Sequence, residues 1–129
     1  MIRFLGFYKR KPGLTHDEFN HHWLNIHGPC VRGVEGGDRY LKKYIQHRLT
    51  IDPLSQEQDF LYDGFSEGWF ESLEERQKFM ELPGMQDVIE DEERFIDLTA
   101  KRWMVMDEHG LQIDTVKEWP HPVLRGPGV

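Results

Sequence analysis

Three of the chain's seven histidines, His21, His22 and His27, fall in one short stretch. An imidazole takes up and returns a proton near neutral pH, and a pair four residues apart on a helix can chelate a metal. The spacing favours the first chemistry. At about 100° per residue, His22 and His27 lie about 140° apart around a helix, and His21 shares neither face. Asp17 with His21 and Glu18 with His22 have chelate spacing, yet both pairs suit a solvated helix surface, so no metal site is expected. His27 precedes Gly28-Pro29, which predicts that it closes a helix, since glycine suits the cap and proline cannot continue the turn. The negative end of the helix dipole would then hold its pKa at or above the ordinary value. His27 is the candidate acid–base residue; the competing reading is a histidine that only caps the last carbonyls.

A second set lies on a predicted strand. Tyr44, Gln46 and Arg48 share one parity; Ile45, His47 and Leu49 share the other. The aliphatic residues predict that the second set packs under helices, with His47 near an edge, while the first looks into a cavity. There a phenol, an amide and a guanidinium can orient a carbonyl and stabilise an enolate. Ordinary cross-strand pairing would use the same residues. On the next strand Asp63, Phe65, Glu67 and Trp69 share a face opposite Phe70. A carboxylate among aromatic side chains is desolvated, which predicts a raised pKa and a base at Glu67. Asp63, beside Gly64, suits a turn equally well, and Trp103 on a fourth strand suits either pocket or core. No base is evident to activate Cys30. The run from Glu90 to Glu93 reads as a solvated helix face.

Strands are predicted at 2–9, 41–50, 62–70 and 101–108 from their aromatic and β-branched content. Thr15-His16-Asp17-Glu18 and Ser72-Leu73-Glu74-Glu75 both have the spacing of a capping box, so each opens a helix. Phe19, Trp23 and Ile26 follow the first box at helical spacing; Leu73, Phe79 and Met80 follow the second until Pro83-Gly84 interrupts. A further helical piece is expected at about 85–97. The order β-α-β-β-α-β predicts an α+β, ferredoxin-like fold: a four-stranded antiparallel sheet with its helices on one face. Large apolar residues at both strand parities imply that the bare face is covered too, most economically by a second copy in a homodimer. The domain is expected over 1–109. The polar segment 52–59 reads as a loop, and 110–129, with three prolines, as an extended arm.

Composition narrows the class. With 129 residues there is room for one modest core. A net charge of −7 opposes binding to nucleic acid, whose phosphates require a basic face. No apolar run is long enough for a membrane span, and a single cysteine points to a reducing cytoplasm.

The motifs together resemble the EthD family. Arg10-Lys11-Pro12-Gly13-Leu14-Thr15, Glu18-Phe19, Trp23 and His27-Gly28-Pro29 match its opening signature. Tyr44-Ile45-Gln46, Asp63-Gly64-Phe65-Ser66-Glu67, Trp69-Phe70 and the segment Asp91–Asp97 continue it. The resemblance spans about residues 1–108 and implies a dimeric α+β barrel. That superfamily includes lactone isomerases, polyketide cyclases, decarboxylases, dehydratases, cofactor-free monooxygenases and haem-binding relatives, so fold does not fix reaction. Family members often read Tyr-Val-Gln-Asn-His where this chain has Tyr44-Ile45-Gln46-His47-Arg48; the histidine stands one residue earlier and therefore on the opposite face.

No phosphate-binding glycine loop, nucleophile elbow or zinc spacing is present, and no cofactor is expected. The expectation is a cofactor-independent isomerase, dehydratase, cyclase or decarboxylase acting on a small cyclic or aromatic carbonyl metabolite. His27, Tyr44, Arg48 and Glu67 would carry the chemistry. Gln46, His47, Asp63, Phe65, Trp69 and Trp103 would bind substrate. The alternative is a protein that binds haem or a small molecule without catalysis.

Overall fold

The computed structural model describes residues 1–50 and 61–107. Strands β1 (Ile2–Tyr8), β2 (Lys43–Arg48), β3 (Gly64–Phe70) and β4 (Arg102–Met106) form one antiparallel sheet in the order β2-β3-β1-β4. Between β1 and β2 run α1 (His16–His22), a π-helical stretch (Trp23–His27), α2 (Gly28–Arg32) and a 3-10 turn (Gly37–Arg39). Between β3 and β4 lie α3 (Leu73–Met80) and α4 (Met85–Phe95). This is the ferredoxin-like arrangement expected from the order of elements.

Local signals set the boundaries. Thr15 caps α1 with a complete box: its hydroxyl accepts from Glu18 N at 3.1 Å, and Glu18 accepts from Thr15 N at 3.0 Å. Ser72 caps α3 by accepting from Glu75 N at 3.1 Å, while the Glu75 carboxylate turns to Lys78 at 3.3 Å. Gly36, at φ 76°, makes the left-handed turn that sends the chain back toward β2.

Two features depart from the sequence reading. The first helix does not stop at His27. The backbone stays helical through Gly28 and Pro29 to Arg32, and the widened turn bonds Gly28 N to Trp23 O, five residues back. A π turn accommodates Pro29, which has no N–H to donate and whose ring would clash in a regular α-helix.

The faces of β2 are also reversed. Tyr44 packs with Val31, Val34, Phe70 and Phe79 beneath the helices, and Gln46 bonds the helix backbone. Ile45 and His47 lie on the bare face, in register with Glu67 and Phe65.

The core beneath the helices has two apolar clusters. One holds Val31, Val34, Phe70, Phe79, Met85 and Val88; the other holds Tyr8, Phe19, Trp23, Phe95 and Ile96. Polar side chains gather where the clusters meet. The expected loop at 52–59 and arm at 110–129 lie outside the described residues. Among the described residues no helix is long and apolar enough to cross a membrane.

Candidate active site

The π turn decides which side chains meet. It carries about one extra residue per turn, so positions five apart come onto one face. His22 and His27, which regular helical geometry would separate, both reach Asp91 on α4. His27 Nδ1 lies 2.9 Å from Asp91 Oδ2, and His22 Nε2 lies 3.0 Å from Oδ1. Phe95 stands beside both rings, with centroids at 4.7 Å from His22 and 4.9 Å from His27. Arg94 Nη1 adds a third donor to Asp91 at 3.2 Å. Burial alone pushes the Asp91 carboxyl up, but bonds from His22, His27 and Arg94 outweigh it and hold the group below the ordinary carboxylate value.

His27 is 2% exposed. Burial pushes its imidazole pKa down, and the Asp91 hydrogen bond with the charges of Glu92 and Asp91 only partly opposes this. The dipole-raised value expected at a helix end is therefore overturned, because His27 is not at a helix end. A neutral imidazole donating Nδ1–H to Asp91 carries its lone pair on Nε2, which has no hydrogen-bond partner among the described residues.

Beneath the π turn the sheet supplies donors. Gln46 Nε2 spends both hydrogens, one on Trp23 O at 2.9 Å and one on Tyr44 Oη at 3.3 Å. The Tyr44 oxygen thus accepts from Gln46 and keeps its own hydrogen for another acceptor. Burial pushes the Tyr44 phenol up, against the lowering influence of Gln46 and the Trp23 indole, so it stays protonated. Trp23 Nε1 is buried without a hydrogen-bond partner; the indole N–H approaches the Tyr44 hydroxyl closely enough to oppose its rise without meeting hydrogen-bond geometry. A groove of about 690 Å³ reaches Tyr44 and Gln46, with Leu24, Gly28 and Pro29 among its other walls; His27 lies behind Gly28 and does not line it.

A second phenol, Tyr8, accepts from Ser66 Oγ at 3.1 Å. Burial first and the Glu92 charge second push it well above the ordinary tyrosine value. Glu92 is paired with Lys101 Nζ at 2.5 Å, and its charge acts on His27, Tyr44 and Tyr8 alike.

The sheet separates the residues singled out from sequence. His27, Tyr44 and Gln46 lie together on the helix side. Glu67, His47, Phe65 and Trp69 form their own cluster on the bare face. There His47 stacks on Phe65 at 4.3 Å and meets Glu67 at 3.1 Å, and Trp69 Nε1 also donates to Glu67. Burial would raise Glu67, but the bonds from Trp69 and His47 prevail and lower it, so the expected raised carboxyl is overturned.

Asp63 joins neither group. It binds His16 Nδ1 at 2.6 Å and Arg10 N at 2.7 Å, while His16 Nε2 meets Leu49 O at 3.0 Å, fastening the start of α1 to the end of β2. Arg48 lines a separate hollow of about 540 Å³ with Thr15, His16, Asp17 and Asn20. Trp103 sits on the helix side at the sheet edge, stacked on Phe4 at 5.4 Å, rather than beside Phe65 and Trp69. Asp91, Trp23, Tyr8 and Glu92 are the residues the sequence reading missed. One signal was available for Asp91: it lies three residues after Val88 and four before Phe95, on the apolar stripe of α4.

The family model for the EthD domain matches residues 11–99. The chain belongs to the EthD family. An EthD family protein from Bacillus halodurans C-125 superposes with a TM-score of 0.64 at 19% identity, covering 84% of this chain and 98% of that one. A dimeric protein of unknown function with a ferredoxin-like fold, from Bacteroides fragilis NCTC 9343, gives 0.61 at 8% identity over 82% and 94%. A dimeric ferredoxin-like protein of unknown function from Thermobifida fusca gives 0.56 at 10% identity over 81% and 88%. At these identities the likeness to solved structures establishes the fold alone. No curated protein matches the chain. Within the EthD frame, the signature residues Trp23, His27, Gly28, Tyr44, Gln46 and Asp91 converge on the helix-side corner. Asp63, Phe65, Glu67 and Trp69, equally part of the signature, build the strand end and the bare face.

Proposed function

We propose that this EthD protein is a cofactor-independent acid–base enzyme that moves a proton on a small cyclic or aromatic carbonyl metabolite. The observation that carries this reading is the buried His27–Asp91 pair, with Nδ1 held at 2.9 Å, on the π turn that Gln46 ties to a protonated Tyr44 phenol with a hydrogen to give. His27 Nε2 takes a proton from the carbon beside the carbonyl. The electron pair moves onto the carbonyl oxygen, where the Tyr44 O–H and the unpartnered Trp23 N–H stabilise the developing charge. Asp91 stabilises the imidazolium, which returns the proton to a different carbon or to a leaving group. Isomerisation, dehydration and cyclisation use this set in full; in decarboxylation the C–C bond to CO2 breaks to give the same enolate, and only the protonation by the imidazolium is shared.

The bare face supports a homodimer. Leu5, Phe7, Phe65 and Ile45 leave it apolar, and a face of this kind is stable when a second copy covers it. Two of the structural neighbours are described as dimeric.

The reading is tested without knowing the substrate. Cyclic ketones and phenolic β-dicarbonyls are incubated with the protein in D2O, and hydrogen–deuterium exchange at carbon is followed by NMR. Exchange above the buffer rate that falls about 10²–10⁴-fold in His27→Ala is the expected result. Tight binding of these compounds with no exchange would instead favour a binding protein without catalysis.

A further inference from the structure

Asp91 serves two imidazoles at once and divides its oxygens unequally between them. Oδ2 faces His27 Nδ1 at 2.9 Å. His22 Nε2 spans both oxygens, 3.0 Å from Oδ1 and 3.2 Å from Oδ2. Arg94 Nη1 touches Oδ1 alone, at 3.2 Å. Among the described residues, His22 is therefore the other donor that reaches the oxygen His27 uses. A carboxylate already engaged by one donor has less charge to offer the next.

The two rings differ in their access to water. His27 is 2% exposed, whereas the His22 side chain is 19% exposed, at a hollow of about 410 Å³ that Asp17, Glu18, His21 and Arg94 also line. Phe95, fully buried, lies against both rings and fixes their places beside the acid. A guanidinium stays charged throughout, so the pull of Arg94 is constant, while an imidazole changes its charge near neutral pH. The charged groups facing the pair are Asp91 and Arg94 of α4, Glu92 acting on His27 from the same helix, and Asp17, Glu18 and His21 of α1 around the hollow. A proton on His22 places positive charge on the far side of Asp91 and opposes a proton on His27, which is the direction in which the His22 charge acts on that ring.

We propose that His22 is a positioning residue for His27: by engaging both oxygens of Asp91 it limits the carboxylate's hold on His27 Nδ1, and a proton on its own ring loosens that hold further. The buried ring then stays neutral, and able to act as a base, in more acidic solution than Asp91 alone would allow. This deepens the acid–base reading, on which it rests only for the use made of that base. The outer ring governs the inner one through the shared acid.

The full chain, isotope-labelled at its histidine rings, is titrated by NMR from mildly acidic to mildly basic pH without substrate. In the unaltered protein each of the two rings is expected to report the other's titration as well as its own. His22→Phe keeps an aromatic ring against Phe95 and removes the donor. It should raise the His27 midpoint by about half a pH unit or more, a gain of roughly threefold in proton affinity. His22→Gln, which keeps a donor that cannot take a charge, should give a smaller rise. Two independent single-site curves in the unaltered protein overturn the inference, and that comparison needs no variant to fold. An unchanged or lowered His27 midpoint in folded His22→Phe overturns it as well, since a merely structural His22 would alter stability without moving that midpoint. The proton-transfer reading fails separately: coupled rings in a chain that exchanges no carbon-bound hydrogen remove the catalytic role of His27 and keep the coupling.

Discussion

Gln46 Nε2 lies 3.1 Å from the point that a side-chain carbon on Gly28 would occupy. The amide can bridge Trp23 O and Tyr44 Oη because residue 28 has no side chain. Gly28→Ala would gain roughly 1 kcal/mol of helix propensity and lose about as much in displaced hydrogen bonds. We expect a melting temperature within a few degrees of the parent, with proton exchange at carbon reduced about tenfold or more as Tyr44 loses its anchor. Calorimetry and the exchange assay on the same preparation read the two effects apart.

Tyr44→Phe removes a donor and little else. The variant should fold, at a cost of about 1 kcal/mol for the Gln46 hydrogen left without its acceptor. Exchange should fall about 10²-fold if the hydroxyl stabilises the oxyanion. Unchanged exchange in the folded variant would remove Tyr44 from the mechanism.

His27 gives the protein a definite pH response. Its folded pKa lies below the roughly 6.5 of a free imidazole. Between those values the unfolded chain binds the extra proton, so stability rises with pH across that window. As pH falls below about 6.5 the protein loses stability until the folded imidazole itself protonates. Urea midpoints compared across this range should show that slope in the parent and a shallower one in His27→Gln. Proton exchange should rise with pH through the same window, because the neutral ring is the base.

Gly64 is a packing requirement. A side-chain carbon there would lie 2.8 Å from the Trp23 ring and would also overlap the backbone carbonyl of His47. Neither is the free end of a flexible chain. Gly64→Ala should cost about 1–3 kcal/mol, measured by urea unfolding.

The bare face supplies a further check. Ile45→Glu places a carboxylate directly opposite Glu67 in the β2–β3 register. Sedimentation should show the parent as a dimer and the variant as a monomer, with His27-dependent exchange surviving in part, since the helix-side corner lies within one subunit.

How far the sequence was legible depends on how local each signal is. Thr15 with Glu18, Ser72, and the Pro83-Gly84 break are read within a few residues, and each stands where expected. The sheet order follows from the succession of elements. The faces of β2 could not be read by asking which parity is more aliphatic, because the interior contains a polar corner that takes Tyr44 and Gln46 in place of Ile45. Gly28-Pro29 resembles a stop signal, and only a widened turn makes it a continuation. Asp91 is concealed in an acidic run in which Glu90 and Glu93 face water while Asp91 and Glu92 turn to His27 and Lys101.

The register shift in the first helix rests on one residue. Deleting any of Leu24, Asn25 or Ile26 would restore regular i to i−4 bonding and leave His22 and His27 four residues apart, so that both imidazoles still share the face that meets Asp91. A chain one residue shorter here therefore keeps both rings on the same acid with an ordinary helix, so the extra residue widens one turn without costing the pair its common partner.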